Sequence, residues 1–209
     1  MNEEHLKDII YSINLGLIGT EYSRLEIFID YLKEIALKYT SENLIYEFKL
    51  QYEGILINLR VVMADKFEDL IQRSESFKHF DILIIAVNVY DSDSISNYTI
   101  QNYTDFRNYF FFNGISVLVG IDTFLIFQKE PLNERNITEI NLIQKTKELE
   151  FLYCFKIQDI KKDVSDIFSK VLNYINLKLQ FLNPELFKRA KLNNQVSNGR
   201  SINKNNHNG

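Results

Sequence analysis

Hydrophobic positions along the chain change their period several times, and each change predicts a new strand or helix. Residues Ser12–Ile18 are apolar at most positions, which is typical of a strand buried on both faces. The next apolar residues recur at helical spacing and predict a helix that ends near Tyr39: Leu25, Phe28, Ile29, Leu32, Ile35 and Ala36. The chain therefore predicts a strand, a turn at Gly19 and a helix capped by Thr20.

The centre of the chain predicts an antiparallel hairpin followed by parallel strands. Two runs, Leu44–Tyr52 and Ile55–Met63, flank Gly54, and glycine tolerates the positive φ that a tight turn requires. Apolar runs predict three further strands: Asp81–Tyr90, Ile115–Ile121 and Phe151–Ile157. Other segments predict helices: Asp65–Phe80, Ser92–Phe112, Thr138–Leu149 and Asp163–Leu182. This pattern predicts an α/β fold with a mostly parallel six-stranded sheet, one antiparallel edge strand and helices on both faces.

The same patterning divides the chain into four segments. Residues 1–11 are a leader with a helical pattern, 12–182 are the α/β domain, and 183–192 are a short amphipathic helix after the break at Pro184. Residues 193–209 hold mostly Asn, Ser, Gly and charged side chains. Such a segment cannot bury enough apolar surface to offset the entropy of ordering, so we predict that it is disordered.

Composition fits one domain rather than two. The 209 residues are 45% hydrophobic and 13% aromatic, which is enough for one sizeable core. The formal net charge is -4, so no global positive field attracts nucleic acid, and direct DNA contact is not expected. The single cysteine, Cys154, excludes an internal disulfide, and no apolar run reaches the roughly 18 residues of a membrane span. We expect an intracellular, soluble protein without membrane contact.

The order of the predicted elements resembles that of the Ras-like small GTPases, whose first loop reads G-x-x-x-x-G-K-[ST]. In that loop, backbone N–H groups wrap the phosphates while the lysine and the hydroxyl supply charge and a magnesium ligand. Counted from Gly19, the second glycine, the lysine and the hydroxyl are replaced by Arg24, Leu25 and Glu26. The phosphate loop is therefore predicted to be degenerate.

The other sequence motifs that bind the nucleotide and its magnesium ion are also altered. The D-x-x-G motif after the third strand has Glu68 in place of glycine, counted from Asp65. The loop that carries a magnesium-binding threonine is reduced to about Tyr39–Asn43, and the guanine-reading N-K-x-D motif is replaced by Ile121–Phe124. Without these groups we expect no nucleotide, no metal, no cofactor and no catalytic residue, because they supply the main terms of phosphoryl transfer.

Four short stretches carry a more specific resemblance. They are Ile18–Glu21 after the first strand, the strand Asp81–Asn88, the helix exit Phe110–Gly114, and Leu152–Cys154 in the last strand. These stretches resemble the centromere protein M family, a GTPase-fold subunit of the inner kinetochore that lacks the nucleotide-binding motifs. With gaps, the resemblance extends from about Ile13 to Leu192.

This resemblance implies a non-catalytic role. The chain would be a structural subunit of the constitutive centromere-associated network, needed for kinetochore assembly and chromosome segregation. Its location would be the nucleus, at the chromosome, centromere and kinetochore. Its partner would be centromere protein I, in a complex that also holds centromere proteins H and K. The alternative is a divergent small GTPase, or a GTPase-fold scaffold, in a trafficking or signalling complex.

A partner surface is predicted on the last long helix. Tyr174, Leu177 and Phe181 lie on a flank away from its core-facing stripe and form a second apolar stripe. The helix that follows Pro184 contributes Leu186 and Phe187. Two interpretations stay open: these residues contact a partner, or the short helix folds back and covers the stripe.

Overall fold

Seven β-strands form the centre of the part of the chain that the structure describes. The computed structural model describes residues 10–20, 23–73, 77, 79–127 and 137–192. Its strands are β1 Ile10–Gly19, β2 Lys38–Glu42, β3 Ile45–Tyr52, β4 Ile55–Ala64, β5 Ile82–Asn88, β6 Ile115–Ile121 and β7 Tyr153–Ile157. Its helices are α1 Glu26–Ile35, α2 Phe67–Arg73, α3 Ser92–Ser96, α4 Ile100–Phe110, α5 Thr123–Phe127, α6 Glu139–Glu148, α7 Ile160–Leu182, and α8 over residues 184–192.

The strands lie in one sheet in the order β2-β3-β4-β1-β5-β6-β7. β1 is parallel to β4 on one side and to β5 on the other, and β5, β6 and β7 continue in parallel. β3 is antiparallel to both of its neighbours, β2 and β4. The predicted α/β class and the mostly parallel sheet with an antiparallel edge are confirmed. The predicted number of strands is wrong, because the described residues form seven strands rather than six.

The additional strand is β2, in a region where the sequence predicted the end of a helix and a short loop. α1 ends at Ile35 rather than near Tyr39, and the chain then joins the edge of the sheet. All five residues of β2 are exposed, so the strand has no apolar face that would reveal a period of two. Its position is set by pairing with β3, where Tyr39 lies opposite Phe48 with ring centroids 6.0 Å apart.

Helices cover both faces of the sheet, as predicted. One buried cluster contains Leu32 of α1 and Val171 of α7, together with side chains from one face of the strands. The other contains Leu70 of α2, Phe106 of α4 and Leu142 of α6. The two cores explain why the central strands are apolar at nearly every position, since each of their faces packs against helices.

Several predicted boundaries are corrected by local interactions. The helix predicted over Ser92–Phe112 is two helices, because the Thr99 side chain accepts a hydrogen bond from Asn102 N–H and caps α4 separately. α4 ends at Phe110, and its C-cap residue, Phe111, is left-handed with φ 49, so the helix stops before Gly114. At Gly114, an added Cβ would lie 2.1 Å from the carbonyl oxygen of Asp81, so glycine is required there by a close approach of two backbones.

The structure describes only part of the predicted terminal segments. β1 begins at Ile10, so the last two residues of the predicted leader, Ile10 and Tyr11, belong to the sheet. The remainder of the leader, residues 1–9, lies outside the described residues, and so does the predicted disordered tail over 193–209. The predicted helix after Pro184 is present as α8.

Candidate functional site

The carboxyl ends of β1 and β5 mark the place where this sheet would hold a ligand. The chain leaves β1 toward β2, β3 and β4 on one side of the sheet, whereas it leaves β5 toward β6 and β7 on the other. In open α/β sheets, ligands bind in the crevice at such a reversal, outside the carboxyl ends of the strands. Gly19, the last residue of β1, lies beside Ala86 of β5 at this point.

We call Gly19, Thr20, Ser23, Arg24 and Leu25 the β1–α1 corner. A Cβ added to Gly19 would lie 2.7 Å from Leu25 Cδ2 and 2.9 Å from both Ser23 Cβ and the Ala86 carbonyl oxygen. Ser23 is fully buried, and Leu25 is only 6% exposed. The space beside the Gly19 backbone is therefore occupied by the chain's own side chains.

Hydrogen bonds within the β1–α1 corner do not match the predicted helix cap. α1 begins at Glu26, and its N-cap residue is Leu25, which makes no side-chain capping bond. Thr20 instead accepts a hydrogen bond from Ser23 N–H through its carbonyl at 2.8 Å, and the Thr20 and Ser23 hydroxyls are 3.1 Å apart. The prediction that Thr20 caps the helix is wrong, because the turn at Thr20 ends before the helix begins.

The charges beside the β1–α1 corner lie close to one another. Arg24 has φ 50, in the left-handed region, and its Nη1 is 3.5 Å from Glu26 Oε1. Glu26 is in the first turn of α1, where a carboxylate interacts favourably with the positive end of the helix dipole. The positive end of the α1 dipole therefore already interacts with a carboxylate of this protein, that of Glu26.

The segment after β4 is helical where the D-x-x-G motif would require a loop. Asp65 is exposed after the end of β4, and Glu68 lies in the first turn of α2. Phe67 is only 2% exposed and packs against aromatic rings of α4. Arg73 Nη1 donates a hydrogen bond to the Met63 carbonyl at 2.6 Å, which ties the far end of α2 to β4. Packing and this hydrogen bond hold α2 against the sheet.

A polar cluster joins the ends of β5, β6 and β7. The Asp122 carboxylate, in a residue only 1% exposed, accepts a hydrogen bond from the Tyr90 hydroxyl at 2.9 Å, and Lys156 Nζ is 3.8 Å from its second oxygen. The Thr123 hydroxyl donates to Asn88 Oδ1 at 3.1 Å. The sequence had marked Asp122 and Thr123 only as replacements in a guanine-reading motif, and the cluster itself was missed. Its one sequence signal is an aspartate directly after a buried strand.

Some residues of the predicted partner surface are exposed in the structure, and others are buried. Leu177 is 55% exposed and Phe181 is 83% exposed, whereas Tyr174 packs partly against the core. α8 folds back against the same core with Phe187 only 4% exposed, and Leu186 is half-buried. Phe187 is therefore a core residue, and its assignment to a partner surface is wrong. Of the two interpretations, the folded-back helix is present, but it leaves Leu177 and Phe181 uncovered.

Exposed apolar residues extend beyond the predicted stripe. Leu182, the last residue of α7, is 71% exposed, and Phe111 after α4 is 88% exposed. A depression of about 500 Å³ beside Phe111 is also lined by Arg107 and Phe112. We refer to Leu177, Phe181 and Leu182 as the α7 patch, because these three exposed side chains lie near one helix end.

Groups suited to redox or metal chemistry are sparse among the described residues. Burial raises the pKa of the half-buried Cys154 thiol, although a hydrogen bond with Thr146 acts in the opposite direction. A raised pKa reduces the thiolate fraction and with it the nucleophilicity. Within the described ranges, no three His, Cys, Asp or Glu side chains are grouped as metal ligands would be.

Neither a protein-family model nor a curated protein matches this sequence. Among the described residues, no helix is both long enough and apolar enough to cross a membrane. What can be inferred about function therefore comes from the residues and their arrangement.

Proposed function

We propose that this chain is a non-catalytic protein of the Ras-like small-GTPase fold that acts as an interaction subunit of a larger assembly. The observation that carries the proposal is the filled β1–α1 corner, where Leu25 and Ser23 lie against Gly19. A ligand crevice closed by the chain's own side chains favours a role on the outer surface of the molecule.

The β1–α1 corner lacks the groups that phosphate binding requires. A phosphate loop needs free backbone N–H groups and a lysine that faces the anion. Here Ser23 N–H already donates to the Thr20 carbonyl, and the lysine position holds the buried Leu25. Opening the corner would expose Leu25, at a cost of about 2 kcal/mol for the lost burial. Glu26 would then repel the phosphate.

The proposed assembly is the inner kinetochore, which the resemblance to the centromere protein M family supports. In that setting the chain would contact centromere protein I, in a complex with centromere proteins H and K. The α7 patch is the surface that we assign to a partner, because exposed large apolar residues grouped on a surface mark interaction sites. Phe181, at 83% exposure, would be the central contact.

The test of the non-catalytic role is an equilibrium titration of the purified chain with fluorescent GTP and GDP, with and without Mg²⁺. A catalytically active small GTPase serves as the positive control. We expect no saturable signal. Magnesium-dependent binding in the micromolar range or tighter would refute this part of the proposal and favour the divergent small GTPase.

The test of the assembly is purification of the tagged chain from the cells that produce it, together with its localisation. Recovery of centromere proteins I, H and K and a signal at centromeres are expected. Recovery of trafficking or signalling components, with a signal elsewhere, would replace the kinetochore by the alternative assembly. The nucleotide titration does not depend on this result, so the two parts of the proposal fail separately.

A further inference from the structure

The outer edge of the sheet at β2 is open among the described residues. β2 pairs with β3 on one side, and no other described strand lies beside it. All five of its residues are exposed. An edge strand presents a row of backbone N–H and C=O groups that can pair with another strand. β2 therefore provides a template for extending the sheet.

The charges on β2 are placed symmetrically about its central residue, Thr40. Lys38 is the first residue of the strand and Glu42 is the last. If a second copy of β2 pairs in antiparallel orientation about a two-fold axis at Thr40, Lys38 of each copy lies opposite Glu42 of the other. A parallel arrangement in register would instead place like charges together, which is unfavourable. The strand is thus complementary to itself in one orientation.

Neither charge is satisfied within the described part of the chain. Across the pairing with β3, Lys38 lies opposite Lys49, and Glu42 lies opposite Ile45. Among the ion pairs formed by described residues, none includes Lys38 or Glu42. Like charges directly opposite each other destabilise a sheet, whereas opposite charges stabilise it. A second copy would supply the carboxylate that Lys38 lacks and the cation that Glu42 lacks.

Alternation along the strand places these contacts on one face. Lys38, Thr40 and Glu42 are separated by two residues each, so their side chains point to the same face of the sheet. In the antiparallel pair, that face would carry two Lys–Glu pairs on either side of a Thr–Thr contact. Tyr39 points to the other face, where its ring lies 6.0 Å from Phe48, and it would lie opposite Ser41 of the second copy.

Exposed apolar side chains flank the strand at both ends. Leu37 is 60% exposed, Leu44 is 43% exposed, and Ile35 at the end of α1 is 41% exposed. The two-fold axis would bring the segment before β2 in one copy next to the segment after β2 in the other. In this register Leu37 of each copy would lie opposite Asn43 of the other, and its exposed side chain would lose contact with water.

We propose that two copies of this chain associate through β2, antiparallel about a two-fold axis at Thr40, so that their sheets become one continuous sheet. This surface is distinct from the α7 patch and does not depend on the assembly proposed above. Because a five-residue strand makes a smaller contact than a standard protein interface, the dissociation constant is expected on the order of micromolar.

The experiment is sedimentation velocity of the full chain over a range of concentrations, with single charge reversals. Lys38→Glu places two Glu–Glu contacts across the axis, and Glu42→Lys places two Lys–Lys contacts. Each variant alone is expected to weaken dimerisation by about tenfold or more. Both positions are exposed, so the fold is expected to persist, which circular dichroism checks. Lys147→Glu, exposed on α6, is the control and is expected to leave the dimer unchanged.

Mixing the two single variants gives the deciding measurement. In the mixed pair, the glutamate introduced by Lys38→Glu faces the lysine introduced by Glu42→Lys, and the two unchanged side chains, Glu42 of one variant and Lys38 of the other, face each other. Both contacts therefore become attractive, and we expect a heterodimer with an affinity close to that of the original dimer. A monomer at every concentration, a dimer that the single variants do not weaken, or a mixture that stays monomeric would each overturn the proposal.

Discussion

The β1–α1 corner and the α7 patch show two opposite uses of apolar side chains. At the corner, Leu25 and Ser23 fill the space where the sheet topology would place a ligand. At the patch, Phe181 and its neighbours face solvent although the core lies one helix face away. The place that the fold offers for a small molecule is closed, and the surface that remains suits a protein. This contrast is the basis of the proposal that the chain acts as an interaction subunit.

The largest expected effect comes from two phenylalanines close together in the chain. Phe187 on α8 is 4% exposed, whereas Phe181 at the end of α7 is 83% exposed. Phe187→Ala is expected to lower the free energy of unfolding by about 3 kcal/mol, because it leaves a cavity in the core. Phe181→Ala is expected to change it by less than about 0.5 kcal/mol. Urea denaturation of both variants measures the difference.

A second pair of variants, both on α7, tests whether the α7 patch binds a partner. Phe181→Asp adds a charge at the α7 patch and is expected to reduce recovery of the partner while the fold persists. Ser169→Asp adds the same charge at an exposed position on the same helix, away from the patch, and is the matched control. Equal co-purification of the two variants would exclude the α7 patch as the interface. For the alanine variants, equal losses of unfolding free energy in Phe187→Ala and Phe181→Ala would contradict the assignment of Phe187 to the core and Phe181 to the α7 patch.

A smaller effect is expected at Gly19 and tests whether the β1–α1 corner is closed. In Gly19→Ala the new Cβ would lie 2.9 Å from the Ala86 carbonyl, which belongs to the backbone and cannot rotate away. We expect a loss of about 2 kcal/mol of unfolding free energy, the usual cost of overpacking. Thermal or urea denaturation measures it. A neutral substitution would mean that the corner has room for a ligand.

The contact with Leu25 can be separated by a double-mutant cycle. Leu25→Ala removes the atom closest to the new Cβ and is itself expected to cost about 2 kcal/mol, since Leu25 is buried. In the double variant, the additional cost of Gly19→Ala is expected to be smaller than in the original protein, because the two side chains compete for one space. Additive costs would place the overpacking at Ser23 and Ala86 instead.

Burial on both faces made some elements predictable from the sequence. β6 has the predicted limits, Ile115–Ile121, and β5 lies within the predicted Asp81–Tyr90. A strand packed on both faces needs apolar residues at successive positions, so its pattern is local and strong. β2 is the opposite case, because an edge strand exposed at every residue needs no apolar side chain. Its pairing with β3 is decided by tertiary contacts that a local pattern does not record.

The sequence shows which motif residues are replaced at the candidate site, but it does not show how the site is packed. The replaced residues Arg24, Leu25 and Glu26 are visible in the sequence, but the packing of Leu25 against Gly19 depends on how the loop returns to the strand. The cluster at Asp122 joins residues from three strands, and Lys156 is far from it along the chain. Such contacts arise only once the strands are ordered in the sheet, so spacing along the sequence cannot reveal them.

The smallest expected effect comes from Tyr98, whose hydroxyl is a buried polar group without a hydrogen-bond partner among the described residues. Tyr98 is only 1% exposed, and its hydroxyl has no hydrogen-bond partner among the described residues. A buried hydroxyl without a partner costs free energy, so Tyr98→Phe is expected to raise the unfolding free energy by about 1 kcal/mol. The ring contact with Phe67, with centroids 6.1 Å apart, remains available to phenylalanine.

The pH dependence of this stabilisation gives an independent check of the burial of Tyr98. Desolvation raises the pKa of Tyr98 well above its ordinary value of 10.0, and the nearby Asp65 and Asp91 act in the same direction. Above pH 10 the unfolded chain loses the Tyr98 proton while the folded chain keeps it, so the original protein loses stability as the pH rises. Tyr98→Phe lacks this loss, so its advantage in unfolding free energy over the original protein is expected to grow between about pH 9 and pH 11. The slope should approach that of one proton released per molecule on unfolding. Urea denaturation followed by circular dichroism measures it. An advantage that stays constant over this range would mean that the Tyr98 hydroxyl reaches water in the folded protein, and the interior beneath the carboxyl ends of the strands would then be open rather than closed.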